Sequence, residues 1–172
     1  MGNMELIILR LIHIFTGVFW AGASIYLAMY VLPAARALGP DGGKFMGQLV
    51  RTKNLPTVMN IIGLLNILTG LRIIMIFYKN SNGEWFSTHY GIGICIGAVA
   101  AIAAFIIGYT GVRPAANKMN NISNAVAAAG GPPSPEQAQQ LGVLRAKMGK
   151  GILVVAWHLA AAVIFMSIAR YL

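Results

Sequence analysis

Four long apolar segments follow one another along the chain, separated by polar connections. They cover about residues 6–32, 56–78, 89–112 and 151–172. Each is as long as the roughly 20 residues that a helix needs to cross about 30 Å of hydrocarbon. Pro33 and the glycine-rich turn at 39–43 are predicted to end the first segment, and Pro56 to lie in the first turn of the second. The pattern predicts an all-α bundle of four transmembrane helices, forming a single domain over residues 1–172.

The connection at 113–150 is predicted to be a helical hairpin. Helix-forming residues fill 113–129, and a Gly-Gly-Pro-Pro turn follows. Ser134 and Gln137 then have the spacing of a capping box, which predicts the start of a second helix. Its apolar seam is predicted from residues at helical spacing, Leu141, Leu144 and Met148. We therefore expect helices three and four to extend beyond the membrane and to meet at this turn.

Basic residues are concentrated in two of the connections. The chain has a formal net charge of +9, yet only 10% of its residues are charged, against roughly 25% in soluble domains. Nine of its 13 Lys and Arg residues lie in the first and third connections: Arg36, Lys44, Arg51, Lys53, Arg113, Lys118, Arg145, Lys147 and Lys150. Short loops rich in Lys and Arg stay cytoplasmic. We therefore expect both termini outside the cytoplasm, a place in the bacterial inner membrane, and no role in binding nucleic acid.

Ionisable side chains inside the predicted spans are costly and mark function by default. They are Arg10, His13, Arg72, His89 and His158. At a rise of about 1.5 Å per residue, all but His158 fall in the outer third of the bundle. Gly17 lies on the same helical stripe as Arg10 and His13, and it would leave room beside the imidazole for a flat macrocycle. The pattern predicts a b-type haem with His13 and His89 as ligands and Arg10 or Arg72 beside the propionates.

Other interpretations of these residues stay open. Arg10 and Arg72 would also fit as arginines that extend to the interface, and His89 as an interfacial histidine. His158 would fit as a second haem ligand, as a proton-handling group, or as a hydrogen-bond partner of Asn66. A His13–His158 ligand pair would have to span roughly 10 Å of depth.

The run from Leu9 to Gly22 resembles the opening of a superfamily of small membrane proteins that includes the CopD-like copper-resistance family and the HemJ-like protoporphyrinogen oxidases. The shared elements here are His13, Trp20 and Gly22 in the first helix. Trp85 and His89 resemble the tryptophan and histidine that open the third helix of the HemJ-like branch, at a different spacing. No lysine matching that branch follows His89, and the long hairpin is unlike it.

The HemJ-like resemblance implies haem b binding at His13, and the CopD-like resemblance implies copper handling. We therefore expect a membrane haem protein in electron transfer or another oxidoreductase reaction, with a quinone, a porphyrin or a redox protein as partner. A copper-handling protein is the second hypothesis. The third is a non-catalytic subunit that packs in a homo-oligomer or larger complex through the Gly93/Gly97 GxxxG motif.

Overall fold

The structure, a computed structural model, describes residues 2–172, with side chains described for 4–39 and 41–172. Within those residues it is helical, with no β-strand. The α-helices are α1 (Gly2–Tyr26), α2 (Leu32–Ala37), α3 (Pro40–Gly47), α4 (Leu55–Asn80), α5 (His89–Ile107), α6 (Arg113–Ala129) and α7 (Pro135–Ile168). Three π-helical turns occupy Leu27–Val31, Gln48–Thr52 and Gly108–Val112, and 3-10 turns occupy Glu84–Ser87 and Ala169–Tyr171.

Four helical stretches are long and apolar enough to cross a membrane, which confirms the predicted all-α bundle of four membrane helices. They are Met4–Ala37, Leu55–Asn80, His89–Ala129 and Pro135–Tyr171. We call the end of the bundle that carries the connection 81–88 and the chain termini the terminal face. The opposite end, which carries α3 and the α6–α7 turn, is called the hairpin face.

Pro33 does not end the first membrane helix, contrary to the prediction. The helix continues through it, from the π turn Leu27–Val31 into α2. Proline has no N–H, and its ring collides with the carbonyl group four residues earlier, so an ideal α-helix cannot pass through it. The π turn widens the helix just before Pro33, with the N–H of Leu32 donating to the carbonyl of Leu27. A similar π turn, Gly108–Val112, precedes Pro114, and this stretch joins α5 to α6.

The GxxxG motif of α5 packs inside the chain, which corrects its predicted use in an oligomer. Gly93 and Gly97 are buried against the end of α7 and the turn that follows it. A Cβ at Gly93 would lie 2.9 Å from the Cβ of Ala169, and one at Gly97 would lie 2.7 Å from Cγ of Met166. Small residues let helix backbones approach closely in membranes. Here α7 occupies that surface, so it is not free for a second chain.

The predicted hairpin of α6 and α7 is present as two packed helices. Ser134 accepts from the N–H of Gln137, and the Gln137 side chain accepts from the N–H of Ser134, so the predicted capping box is confirmed. Leu141 and Met148 are buried, and Leu144 packs against the same cluster as Met148. Two of the three residues predicted for the seam are thus buried, and the third is partly buried.

Residues of the first connection also join the base of the hairpin. Val50 is buried in one cluster with Ala115, Ala116 and Met148. The sequence pattern alone did not predict this contact, since it depends on how the two connections come together at the hairpin face.

Candidate functional site: a cleft beside His13

A cleft of about 190 Å³ opens between α1, α4 and α5 in the terminal half of the bundle. Most of its wall is apolar, supplied by isoleucine, leucine and alanine side chains. Its polar or aromatic lining comes from a few residues: Arg10, His13, Asn66, Phe77, Trp85 and Tyr90. We call it the terminal cleft. It has the composition of a ligand site, with an apolar wall and a small number of placed polar groups.

His13 is fixed by a hydrogen bond to a neighbouring helix. Its Nδ1 lies 2.9 Å from the backbone carbonyl oxygen of Asn66 on α4. Because a carbonyl oxygen can only accept, Nδ1 carries the proton and, in the neutral ring, Nε2 carries the lone pair. Nε2 has no partner among the described residues and is not a buried unsatisfied atom, and His13 is one of the residues that line the cleft.

The amide of Asn66 holds the same two helices together from the other side. Its Nδ2 donates to the carbonyl oxygen of His13 at 2.7 Å and to Oγ1 of Thr16 at 3.1 Å. Thr69 lies one turn along α4, with its Oγ1 3.4 Å from Nδ1 of His13. Asn66, Thr16 and Thr69 are all buried. The imidazole is thus oriented by a satisfied polar cluster, which restricts its rotation.

Glycine makes room for the His13 ring, but at a different position from the one predicted. A Cβ at Gly70 would lie only 2.8 Å from Cε1 of the imidazole, so the ring lies against the α4 backbone. Gly17 instead faces Asn66, whose Nδ2 would be 3.0 Å from a Cβ there. The interpretation of Gly17 as open space for a macrocycle is therefore wrong, because the amide that holds the histidine fills that space.

Two hydrogen-bond donors at the cleft have no partner within the described chain. The indole Nε1 of Trp85 is buried and unpaired, although Trp85 is only 6% exposed. Arg10 lines the same cleft and takes part in neither of the ion pairs formed by the described residues, Lys44–Asp41 and Arg72–Glu5. Arg10 is exposed, so the cost of about 1–3 kcal/mol for a buried donor without an acceptor applies to the Trp85 N–H.

Trp85 is held in place by an aromatic cluster on the terminal face. Its ring stacks on Phe77 with centroids 5.9 Å apart and planes 10° from parallel, and it meets Tyr90 edge to face at 6.0 Å. Stacked and edge-to-face rings are the favoured aromatic geometries. The packing fixes the direction of the indole N–H. The sequence analysis singled out Trp85 only for its resemblance to the HemJ-like branch and did not predict this unpaired donor.

The structure does not bring His13 and His89 together. His89 is the first residue of α5, directly after the N-cap Thr88; its side chain is exposed and does not line the terminal cleft. His158 is also outside the cleft, and its Nδ1 bonds to the Val154 carbonyl of its own helix at 2.8 Å. The predicted alternative of a His158–Asn66 hydrogen bond is wrong, because the Asn66 amide bonds to residues of α1.

Arg72 has a structural partner rather than a place at the cleft. Its Nε lies 2.8 Å from Oε1 of Glu5, and both side chains are close to half exposed. The pair joins α4 to the first turns of α1 near the terminal face. Exposed ion pairs of this kind contribute about 0–1 kcal/mol. Of the two arginines predicted beside haem propionates, only Arg10 lines the cleft.

The chemistry of the cleft fits part of a haem site. Histidines that bind metal donate their second ring N–H to a carbonyl or carboxylate, as His13 does to Asn66. Arg10 and the Trp85 N–H are suitable donors to propionate oxygens. However, the cleft of about 190 Å³ is below the roughly 300–1,000 Å³ of typical ligand pockets. A macrocycle would require α4 and α5 to separate, and His89 would not serve as its second ligand without rearrangement.

A protein metal site of several ligands is not present in the described part of the chain. No group of three or more His, Cys, Asp or Glu side chains converges there. Copper(I) sites use thiolate and thioether ligands together with imidazole. Of the methionines, only Met166 lines the cleft with His13. The terminal cleft therefore offers copper one imidazole and one thioether.

The comparisons with known proteins identify no relative. No family model, curated protein or solved structure matches the chain. The resemblance to the CopD-like and HemJ-like proteins thus stays a prediction from its motifs.

Proposed function

We propose that this chain is a membrane redox protein and that the terminal cleft, opened further by separation of α4 and α5, binds a b-type haem through Nε2 of His13. The observation that carries the proposal is the hydrogen bond from Nδ1–H of His13 to the Asn66 carbonyl, which leaves Nε2 without a partner on a residue that lines the cleft. When bound, a haem supplies one-electron chemistry at its iron. The chain's own groups would orient the ligand, with Arg10 and Trp85 donating to carboxylate oxygens nearer the terminal face.

An absorption spectrum tests this proposal on the purified full chain, before and after addition of hemin. We expect a Soret band that His13→Ala removes. His89→Ala and His158→Ala are the matched controls, because each removes an imidazole outside the cleft, and both should retain the band. Full haem content in His13→Ala, or a wild-type protein that binds no hemin, would contradict the proposal.

A quinone head group is a second candidate ligand, favoured by the size of the cleft. Its single ring needs less space than a macrocycle, and its carbonyl oxygens could accept from the Trp85 N–H and from Arg10. In the quinol form, a hydroxyl could donate to Nε2 of His13. The apolar wall would suit the ring.

Tryptophan fluorescence separates the quinone from the haem. Titration with a short-chain ubiquinone should quench the emission of Trp85 in the wild type, and Trp85→Phe should lose that part of the quenching. Trp157 is 68% exposed and lies outside the cleft, so Trp157→Phe is the control and should keep it. Saturable quenching without hemin binding would favour the quinone; the reverse result would leave haem as the ligand.

A further inference from the structure

We infer that the chain holds the phosphate group of an anionic phospholipid in a second cavity, at the hairpin face. This cavity of about 520 Å³ lies between the end of the first membrane helix and the middle of α7. We call it the basic furrow. Its lining comprises Ala28, Leu32, Arg36, Gly142, Arg145, Ala146, Gly149, Lys150 and Leu153. The inference is independent of the ligand proposed for the terminal cleft.

Three cations line the basic furrow, and no acid does. They are Arg36 from α2 and Arg145 and Lys150 from α7. None of them is in the two ion pairs that the described side chains form. Like charges around one cavity repel one another, and the attraction of each cation to an anion between them would offset that repulsion.

The chain has no acid available to neutralise them. It contains four Asp and Glu residues. Glu5 pairs with Arg72 on the terminal face and Asp41 pairs with Lys44. Glu136 bonds to Ser134 at the far end of the hairpin, and Glu84 lies in the connection 81–88 on the terminal face. The three cations are exposed and have no acid among the described residues as partner, so an anionic molecule in the basic furrow would be their first close counter-charge.

Small residues of α7 keep the furrow open. Gly142, Ala146 and Gly149 lie on one helical face, at spacings of four and three residues. The Arg36 guanidinium lies over Gly149, and any side chain at that position would collide with its Nη2. The arginine from α2 can thus lie against the α7 backbone beside the cations of that helix.

The depth of the furrow favours a lipid over a free anion. Leu32 and Leu153 lie at the ends of the apolar segments predicted to span the membrane, whereas the three cations lie just beyond them. A phospholipid presents the same order, with a phosphate at the boundary and acyl chains below it. Basic pockets between membrane helices bind such headgroups. A free phosphate would use the cations and leave the apolar part of the furrow without a partner.

Native mass spectrometry of the full chain with added lipid tests the inference. We expect phosphatidylglycerol to remain bound where phosphatidylcholine does not, since only the former has net negative charge. We expect about a fivefold change in affinity for each cation beside the lipid phosphate, so Arg36→Gln should weaken binding about fivefold, and Arg36→Gln with Arg145→Gln and Lys150→Gln about a hundredfold.

Two further variants distinguish binding of the lipid in the basic furrow from nonspecific attraction to the positive surface of the protein. The triple variant Lys53→Gln, Lys118→Gln, Lys147→Gln removes the same charge from exposed positions outside the furrow, and it should bind phosphatidylglycerol like the wild type. Ala146→Trp fills the furrow without changing the charge, and it should lose binding. Equal loss in both triple variants, or full binding by Ala146→Trp, would overturn the inference. So would competition by millimolar inorganic phosphate, which would indicate a free anion as the ligand.

Discussion

The Nδ1–H of His13 on α1 donates to the backbone carbonyl of Asn66 on α4 at 2.9 Å, and the Asn66 amide returns a bond of 2.7 Å to the carbonyl of His13. Each residue thus satisfies the backbone oxygen of the other. This reciprocal contact fixes the side chain on which the proposed cofactor site depends.

Replacing Asn66 by alanine should loosen the α1–α4 contact. The variant loses two hydrogen bonds between helices, each worth about 0.6 kcal/mol in membrane proteins, so the free energy of unfolding should fall by about 1–2 kcal/mol. Asn60→Ala is the control, because Asn60 bonds only to the Pro56 carbonyl of its own helix. Unfolding in mixed micelles measures both. An equal loss in the two variants would mean that the bonds of Asn66 do not join the helices.

A side chain at Gly70 should displace the His13 imidazole. The Cβ of Gly70→Ala would lie 2.8 Å from Cε1 of that ring, so the ring must move or α4 must shift, at a cost of about 1–3 kcal/mol. We expect weaker hemin binding together with a lower Tm. Gly22→Ala has nothing within 4 Å of its new Cβ, so it should leave hemin binding unchanged and should not lower the Tm. Unchanged hemin affinity in Gly70→Ala would argue against His13 as the ligand.

The unpaired N–H of Trp85 predicts an unusual response to replacement. Trp85→Phe loses indole packing but also removes a buried donor that costs about 1–3 kcal/mol, so its Tm without ligand should change little. Trp20→Phe also loses packing in a buried position, next to Phe105, with no such compensation. It should lower the Tm clearly more than Trp85→Phe does. The opposite order would show that Trp85 is satisfied in the native protein.

Gly97→Ala should weaken the packing of α5 on α7. Its Cβ would lie 2.7 Å from Cγ of Met166 and 3.1 Å from the Ala162 carbonyl oxygen, and the backbone oxygen cannot easily move away. We expect a loss of about 1–3 kcal/mol. Gly108→Ala, with nothing within 4 Å of its Cβ, is the control. Light scattering should give the same molar mass for both variants and the wild type. Dissociation of an oligomer by Gly97→Ala would instead show that the GxxxG motif packs between chains.

The start of α7 should respond to pH through Glu136. The hydrogen bond from Ser134 Oγ to its carboxylate, at 2.8 Å, holds the pKa of Glu136 below its ordinary value. A lowered pKa in the folded state means that the contribution is present above the unfolded pKa and is lost as the pH falls through the folded one. NMR titration of the carboxyl carbon should show a higher pKa in Ser134→Ala and no change in Ser123→Ala.

In Ser134→Ala, the first turn of α7 should also unfold more often. The loss of a serine N-cap costs about 1 kcal/mol, so the amides in the first turn of α7 should exchange roughly fivefold faster with deuterium. Exchange at the centre of α4 should be unaffected, and faster exchange there would indicate general destabilisation instead.

The amino-acid sequence by itself determined the four membrane helices, the capping box at Ser134 and the apolar seam at Leu141, Leu144 and Met148. These depend on hydrophobic length, on residues three apart and on helical periodicity, all of which are properties of a single segment. Which helix faces which was decided only by the tertiary structure. In the tertiary structure, Asn66 bonds to His13 and not to His158. Gly70, and not Gly17, lies against the imidazole. His89 is exposed at the start of α5. The spacing of Asn66, Thr69 and Gly70 on one face of α4 was visible in the sequence, but the rotation of α4 toward α1 follows from packing between helices, which no single segment encodes.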